Sequence, residues 1–537
     1  MFVTGKYRLI SFGIFVILSL AVSDFSAAGK SLLSTFAAVH AQESTGAWSL
    51  SGNANTTSTD FLGTTDDAPL ELRVNQQRGL RLEPAPQVGP GLSPNLIGGF
   101  ESNHTATGVW GAAIGGGGQL GFPNQVMASF GTIAGGSGNK AGELAAVGGG
   151  LSNTARGYRT VIGGGFSNTA IGGDATIGGG MGNTASHSFT TIAGGSMNVA
   201  EELHATIGGG AGNLAGGRRA TVGGGTQNRA TGLDSLIGGG VRNSAEGAYA
   251  AVGGGLENHA RGRRATVGGG GGNIARGDEA TIGGGLSNQA TDRYSTVAGG
   301  RGNLAGNLND NDEDARYATV GGGQDNAATG LAATVVGGLE NSAAGDYSVA
   351  AGRRTKIDPT HDGAFLFADS TAADFNSAAA NEFAVRATGG VRLVTAVDAA
   401  GLPVAGVRLA AGSGSWETLS DRTAKANVLP VDEQEILVRL MEIPISTWNY
   451  KTQDPSIRHL GPTAQDFQRA FDLGEDERTI SIVDADGVAL AAIQGLYQLV
   501  QTQQAEISGL KEQVAALESQ LEALQTETGI NYGQLED

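Results

Sequence analysis

Ala146-Val147-Gly148-Gly149-Gly150-Leu151-Ser152-Asn153-Thr154-Ala155 is the first clean copy of a sentence that the chain then repeats. A β-branched residue returns every fifteen positions, at Ile162, Ile177, Ile192, Ile207, Val222, Ile237, Val252, Val267, Ile282 and Val297. Asparagine keeps step six residues later, from Asn153 and Asn168 to Asn303, with alanine two further on, from Ala155 to Ala305. A fixed period of this kind means stacked, near-identical units.

A fifteen-residue unit is too short for two helices and long enough for two short strands and two tight turns. Each unit therefore reads as one coil of a β-solenoid spanning residues 95 to 353. Coils stacked through parallel backbone hydrogen bonds rise about 4.8 Å each, so eleven in register make a rod of roughly 50 Å. Glycine suits turns that need positive φ or close backbone approach, and asparagine suits a left-handed turn position while bonding to its neighbours in a ladder. One Ile or Val and a few alanines per coil bury little apolar area, at about 1.5 to 3 kcal/mol per large side chain. Three chains packing their Ile/Val ladders about an axis would supply the missing core, so a homotrimer is expected.

With these residues in view, the body resembles the head repeats of trimeric autotransporter adhesins, whose similar Ala-x-Gly-x-x-Asn-x-Ala sentences form a trimeric left-handed β-roll. The resemblance covers roughly Asn95 to Arg353 and implies a fold rather than a ligand. The chain ends Asn531-Tyr532-Gly533-Gln534-Leu535-Glu536-Asp537, without the alternating strands of an outer-membrane barrel anchor, so no self-anchoring autotransporter is expected.

Composition agrees with an elongated body. In 537 residues there are 91 glycines and only 17 phenylalanines, a poor supply for an ordinary globular core. A net charge of -18 without a basic cluster disfavours nucleic acid and anionic membrane as partners. Zero cysteine excludes disulfides, thiolate metal sites and cysteine nucleophiles while leaving the redox compartment open. No cofactor and no resident metal are expected.

At the N-terminus Lys6 and Arg8 precede an apolar run from Leu9 to Val22, and small residues lead to Val39-His40-Ala41-Gln42. Residues 1 to 41 read as an export signal. Cleavage after Ala41, cleavage after Ala28 and retention as an anchor all fit, although the run is short for a span of about 18 to 20 residues. No other segment is apolar enough to span a membrane, so the mature chain is expected to be secreted or displayed at a cell surface. From 42 to 94 the alternation in Leu70-Glu71-Leu72-Arg73-Val74 and Leu80-Arg81-Leu82-Glu83 reads as short half-buried strands. This lead-in resembles that of bacterial and phage fibre-like proteins.

Three features of the rod suggest surface chemistry. Between Val297 and Val320 the spacing grows to twenty-three, and the extra residues include Asp310, Asp312, Glu313 and Asp314. They form a solvated acidic loop or a calcium site, though without the glycine and distal glutamate of a helix-loop-helix calcium loop. The pairs Arg218-Arg219 and Arg263-Arg264 share one repeat position, facing an anionic glycan or keeping the rod soluble. Threonine recurs at Thr176, Thr206, Thr221, Thr266 and Thr281, too sparsely for an ice-binding face.

Beyond Arg353 the repeat gives way to Gly363-Ala364-Phe365-Leu366-Phe367-Ala368 and Asn381-Glu382-Phe383-Ala384-Val385-Arg386, which predict a β neck over 354 to 419. Gly412-Ser413-Gly414-Ser415 then approaches a new module. It opens on Ser420-Asp421-Arg422-Thr423-Ala424-Lys425, has a helical pattern from Glu433 to Met441, and continues with Ile445-Ser446-Thr447-Trp448-Asn449-Tyr450, His459-Leu460-Gly461-Pro462-Thr463-Ala464-Gln465-Asp466-Phe467 and Asp484-Ala485-Asp486-Gly487-Val488. These residues resemble the peptidase S74 family, the intramolecular chaperone domain at the C-termini of phage tailspikes such as endosialidases. The resemblance runs from about Ser420 to Gln503. It implies a small α+β module that trimerises, assists the upstream fibre and cuts the bond before its own serine. Carried over, Ser420 is the nucleophile, Lys425 its general base, and the cleaved bond joins Leu419 to Ser420. Ala424 departs from the larger apolar residue that family members often carry before the lysine. His459 either orients the site or caps a strand.

Last, Ile493, Leu496, Val500, Ile507, Leu510, Val514, Leu517, Leu521 and Leu524 fall on a and d positions over 493 to 525, which predicts a coiled coil. The chain thus reads as mainly β, a fibre that binds itself and an unidentified surface glycan or protein. Its alternative is a purely structural fibre whose last module only trimerises. A polysaccharide-degrading spike would need paired carboxylates in a cleft, and the rod offers no such pair.

Overall fold

A computed structural model describes residues 51–86, 92–309 and 311–529; the segment read as an export signal and Asp310 lie outside them. The chain divides into two units, residues 1–384 and 385–537.

The first unit is a β-solenoid. Strand β1 (Leu70–Val74) pairs antiparallel with β2 (Gln77–Glu83), and β2 pairs antiparallel with Asn95–Gly98, the first strand of the stack. The hairpin thereby covers what would otherwise be an open edge. From there each coil contributes two-residue strands that pair only with the coils before and after. Ile162 lies against Ile177 and Ile177 against Ile192 in one parallel stack, while Ala155 lies against Ala170 and Ala170 against Ala185 in a second. Single bridges such as Leu151 to Phe166 and Phe166 to Met181 form a third side.

The Ile/Val column is buried inside a single chain. Ile162, Ile177, Ile192 and Ile207 have 0% exposure, as do Ala155, Ala170 and Ala185 across the bore. Thr160, Ala175, Thr190 and Ala205 close the remaining corner, equally buried. This corrects the expectation that the Ile/Val ladder needs three chains to cover it. Because the other inward positions of the regular fifteen-residue coils are Ala, Thr, Ser or Asn, the bore there is narrow enough for one branched side chain per coil to fill.

Asparagine fills the last inward position, and here too the structure differs from the reading. Asn153 and its equivalents do not take the left-handed turn; the residue before them does, with φ of 59° at Ser152, 55° at Ser167 and 53° at Met197. That turn sends the asparagine side chain inward. The Asn168 N–H donates to Asn153 Oδ1 at 3.0 Å, and its Nδ2 donates to Gly164 O and Gly180 O, each at 2.9 Å. A buried amide is affordable only when so paired, and every coil repeats the pattern.

A second left-handed corner recurs at Arg159, Asp174, Phe189, His204, Arg219 and Asp234. It carries side chains that meet the next coil: Arg159 pairs with Asp174, Arg219 with Asp234 and Arg264 with Glu279, while Phe189 stacks on His204 and Tyr294 on Tyr317. Arg219 and Arg264 of the paired arginines therefore act between coils.

The stack outlasts its sentence. Val349–Arg353 pairs in parallel with Phe365–Ala368, and Phe365 N–H donates to Glu382 O, so part of the predicted neck forms further coils. Backbone register, which any sequence can satisfy, carries on where the fifteen-residue pattern stops.

In the second unit β3 (Val391–Val397), β4 (Pro403–Leu409) and β5 (Trp416–Thr418) form an antiparallel meander. Helix α1 (Glu433–Met441) follows, capped by Asp432, whose carboxylate accepts from the Gln434 and Glu435 N–H groups. A small hairpin of β6 (Ser446–Trp448) and β7 (His459–Gly461) precedes α2 (Ala464–Phe471) and the 47-residue α3 (Ile482–Thr528). Ile443, Phe467, Phe471 and Val488 form the core of the helical part. Gly495 lets α1 approach α3, since a Cβ there would lie 2.3 Å from Glu433 O. No helix among the described residues is long and apolar enough to cross a membrane.

Candidate functional site

The chain leaves β5 at Thr418, and the Leu419 N–H donates back to Gly406 O of β4 at 3.2 Å. The meander thus anchors the residue before Ser420. Asp421 then caps a short 3-10 turn, Arg422–Ala424. Its Oδ1 accepts from the Thr423 N–H at 2.8 Å and from Thr423 Oγ1 at 2.7 Å, and those two bonds, side chain first, hold its carboxyl below the usual carboxylate range.

Closing this turn brings Ser420 and Lys425 together. Lys425 Nζ donates to Ser420 Oγ at 2.6 Å, although five residues separate them. Neither a strand nor an α-helix places i and i+5 face to face; the capped turn does. Residues 418 to 431 are exposed, so in the single chain the pair stands in solvent.

Ser420 opens a recognisable segment. Residues 420–473 match the family Peptidase S74, described as the chaperone of endosialidase. The chaperone domain therefore spans the serine, the capped turn, α1, the β6–β7 hairpin and α2. No curated protein matches the chain.

His459 of this domain hydrogen-bonds Gln453 Oε1 through Nε2 at 2.8 Å, and its ring lies 4.8 Å from that of Trp448 and 5.5 Å from that of Tyr450. Those contacts serve the hairpin. The sequence places Asp421 in the Ser420-Asp421-x-x-x-Lys425 motif but assigns no role to it or to Thr423, yet the two set the geometry; an Asp two residues before a Thr, just ahead of a short turn, is the signal available.

The acidic loop of the rod is tied to its own neighbours. Asp314 accepts from Asn307 Nδ2 and Asn309 Nδ2, and Glu313 pairs with Arg293 and Arg316. Among the described residues no group of three or more His, Cys, Asp or Glu side chains is placed to hold a metal ion. Beneath the loop Asp292 is buried, its Oδ2 accepting from the Asn307 N–H and from Thr291 Oγ1. Burial, the larger effect, pushes its carboxyl up despite those bonds.

Proposed function

We propose that this protein is an exported homotrimeric fibre whose C-terminal chaperone domain drives assembly and then cuts the chain between Leu419 and Ser420. The rod acts as shaft or adhesive surface in the manner of adhesin head repeats, and α3 forms a coiled coil with its copies. The chaperone match supports assembly. Along α3, Ile493, Leu496, Val500, Ile507, Leu510 and Val514 stand exposed in one chain, which is how a heptad seam looks before its partners arrive. Export rests on the apolar run from Leu9 to Val22.

The observation that carries cleavage is the 2.6 Å contact between Lys425 Nζ and Ser420 Oγ at the first residue of the matched segment. A serine hydroxyl is a weak nucleophile until a base takes its proton, and a lysine does so where desolvation disfavours the ammonium form. Packing of copies around residues 419 to 425 supplies that desolvation. Ser420 Oγ then adds to the Leu419 carbonyl carbon as its proton passes to the lysine amine. The Ser420 nitrogen leaves with that proton, and water hydrolyses the Leu419 ester to a carboxylate. The rod keeps Leu419 as its last residue and the released module begins with the Ser420 amine.

Intact-mass analysis of the expressed chain tests this. A fragment beginning at Ser420, absent from Ser420→Ala and Lys425→Ala, is expected. A chain that stays full length while forming trimers leaves the second reading, a structural fibre whose module only assembles it.

A further inference from the structure

The meander of β3, β4 and β5 has two unlike faces. Side chains alternate along a strand, so Val391 and Leu393 of β3, Val407 and Leu409 of β4, and Trp416 and Thr418 of β5 share one side of the sheet, while Arg392, Arg408 and Glu417 share the other. The charged side suits water. The apolar side has nothing over it: Leu393 is 54% exposed and Trp416 53%, and no residue from 391 to 419 is buried. None of these residues belongs to the core that Ile443, Phe467, Phe471 and Val488 build in the helical part.

A sheet with one apolar face is stable when that face is packed on a second layer. This sheet is a single layer, so its second layer comes from outside the chain.

We propose that the second layer is the same sheet in other copies of this chain, with Leu393, Val407 and Trp416 of each copy packing on those of the next about a common axis. The inference rests on the homotrimer reading and names an interface for it. Two observations select a copy as the occupant. The face lies just ahead of the segment that matches a chaperone of endosialidase, so copies gathered by that domain bring identical faces together. A cut after Leu419 also removes the chaperone and the exposed seam of α3, so what holds the shaft together afterwards lies at or before that residue, and the meander is the last element there. Sheets packed face to face lie about 10 Å apart with their inner side chains interdigitated, which these branched and aromatic residues can fill. Because the Leu419 N–H is bonded to Gly406 O, packing of the sheets also fixes the scissile bond in place.

The chain has no cysteine, so a single introduced thiol reports alone. Full-length Leu393→Cys is compared with Arg392→Cys, its exposed neighbour on the opposite face, by particle mass, far-UV circular dichroism and the rate of labelling by a bulky maleimide. In a third chain p-benzoylphenylalanine replaces Trp416 and is photoactivated. All three positions stay on the rod side of Leu419, so the readings hold whether or not the chain is cut. The expected result is a trimer with parental circular dichroism in which Leu393→Cys reacts at least about tenfold more slowly than Arg392→Cys, and both react fully in denaturant. Photoactivation is expected to join copies covalently within residues 391 to 418. A trimer in which both thiols react equally fast overturns this interface while leaving trimerisation standing. A monomer with native circular dichroism overturns both. Cross-links that run instead into residues 420 to 528 give the face to the chaperone domain or α3 and overturn the proposal.

Discussion

Asn168 Oδ1 accepts a hydrogen bond from the N–H of Asn183, fifteen residues further on, at 3.0 Å, and Asn183 Oδ1 accepts in turn from Asn198 at the same distance. Asn183→Ala leaves the Asn198 N–H without that acceptor and strands Gly179 O, which Asn183 Nδ2 serves, while Gly195 O keeps the Met181 N–H. At about 1 to 3 kcal/mol per buried group left unpaired, a loss near 3 kcal/mol is expected in urea denaturation. A change under about 0.5 kcal/mol would mean that water reaches the ladder.

Ile207 is wholly buried and Thr206 beside it points outward. Ile207→Ala should cost about 2 to 5 kcal/mol through lost burial and the cavity left behind, and Thr206→Ala less than about 0.5. Equal effects, read by thermal melting, would mean that the bore is not packed as described.

Gly225→Ala should destabilise strongly, since the added methyl meets the Gly240 carbonyl in a backbone conformation that alanine avoids. A yield of folded protein matching the parent would contradict that close approach.

If Asp421 cleaves nothing itself and only folds the turn, Asp421→Asn, which keeps an oxygen acceptor for the Thr423 N–H, should cut at nearly the parental rate. Asp421→Ala should cut several-fold more slowly, in line with the roughly 1 kcal/mol that a lost cap costs. Time-resolved intact mass reads both. An asparagine variant as slow as the alanine variant would assign Asp421 a role through its charge.

Asp292 supplies a pH prediction. Its pKa is raised in the folded chain by burial, with Asp314 nearby adding to the rise. The folded state therefore binds the proton more tightly than the unfolded one, so stability is present below the unfolded pKa and is lost as pH rises toward the folded value. Asp292→Asn should raise the melting temperature at pH 7 and change it little at pH 3. An equal shift at both values would show that ionisation of Asp292 is not the cause.

The period of fifteen located the strands and the Asn and Ala columns, and a helical pattern located Glu433–Met441, without a structure, because each depends on spacing alone. Spacing did not reveal which way the Ile/Val column faces. The answer depends on the width of the bore, set by Ala155, Thr160 and Asn153 together. Nor did it separate Ser152 from Asn153, since both residue types suit a turn and only the inward hydrogen bonds decide between them. Ser420 and Lys425 were legible through their resemblance to a family. The role of Asp421, a matter of local hydrogen bonds, appeared only in three dimensions.

Two-residue strands that pair at a constant offset also make the rod almost degenerate under translation. Thr154 meets Thr169 across the ladder, but Thr184 offers the same threonine and alanine pair one coil later. Skipping a coil during folding would therefore bury nearly the same groups, and little in the local chemistry reports the mistake. The expanded coil between Thr296 and Thr319 breaks this symmetry, as an index mark does on a ruler whose divisions are all alike. Coils counted from that mark can close on the hairpin at Leu70–Glu83 only if none has been omitted.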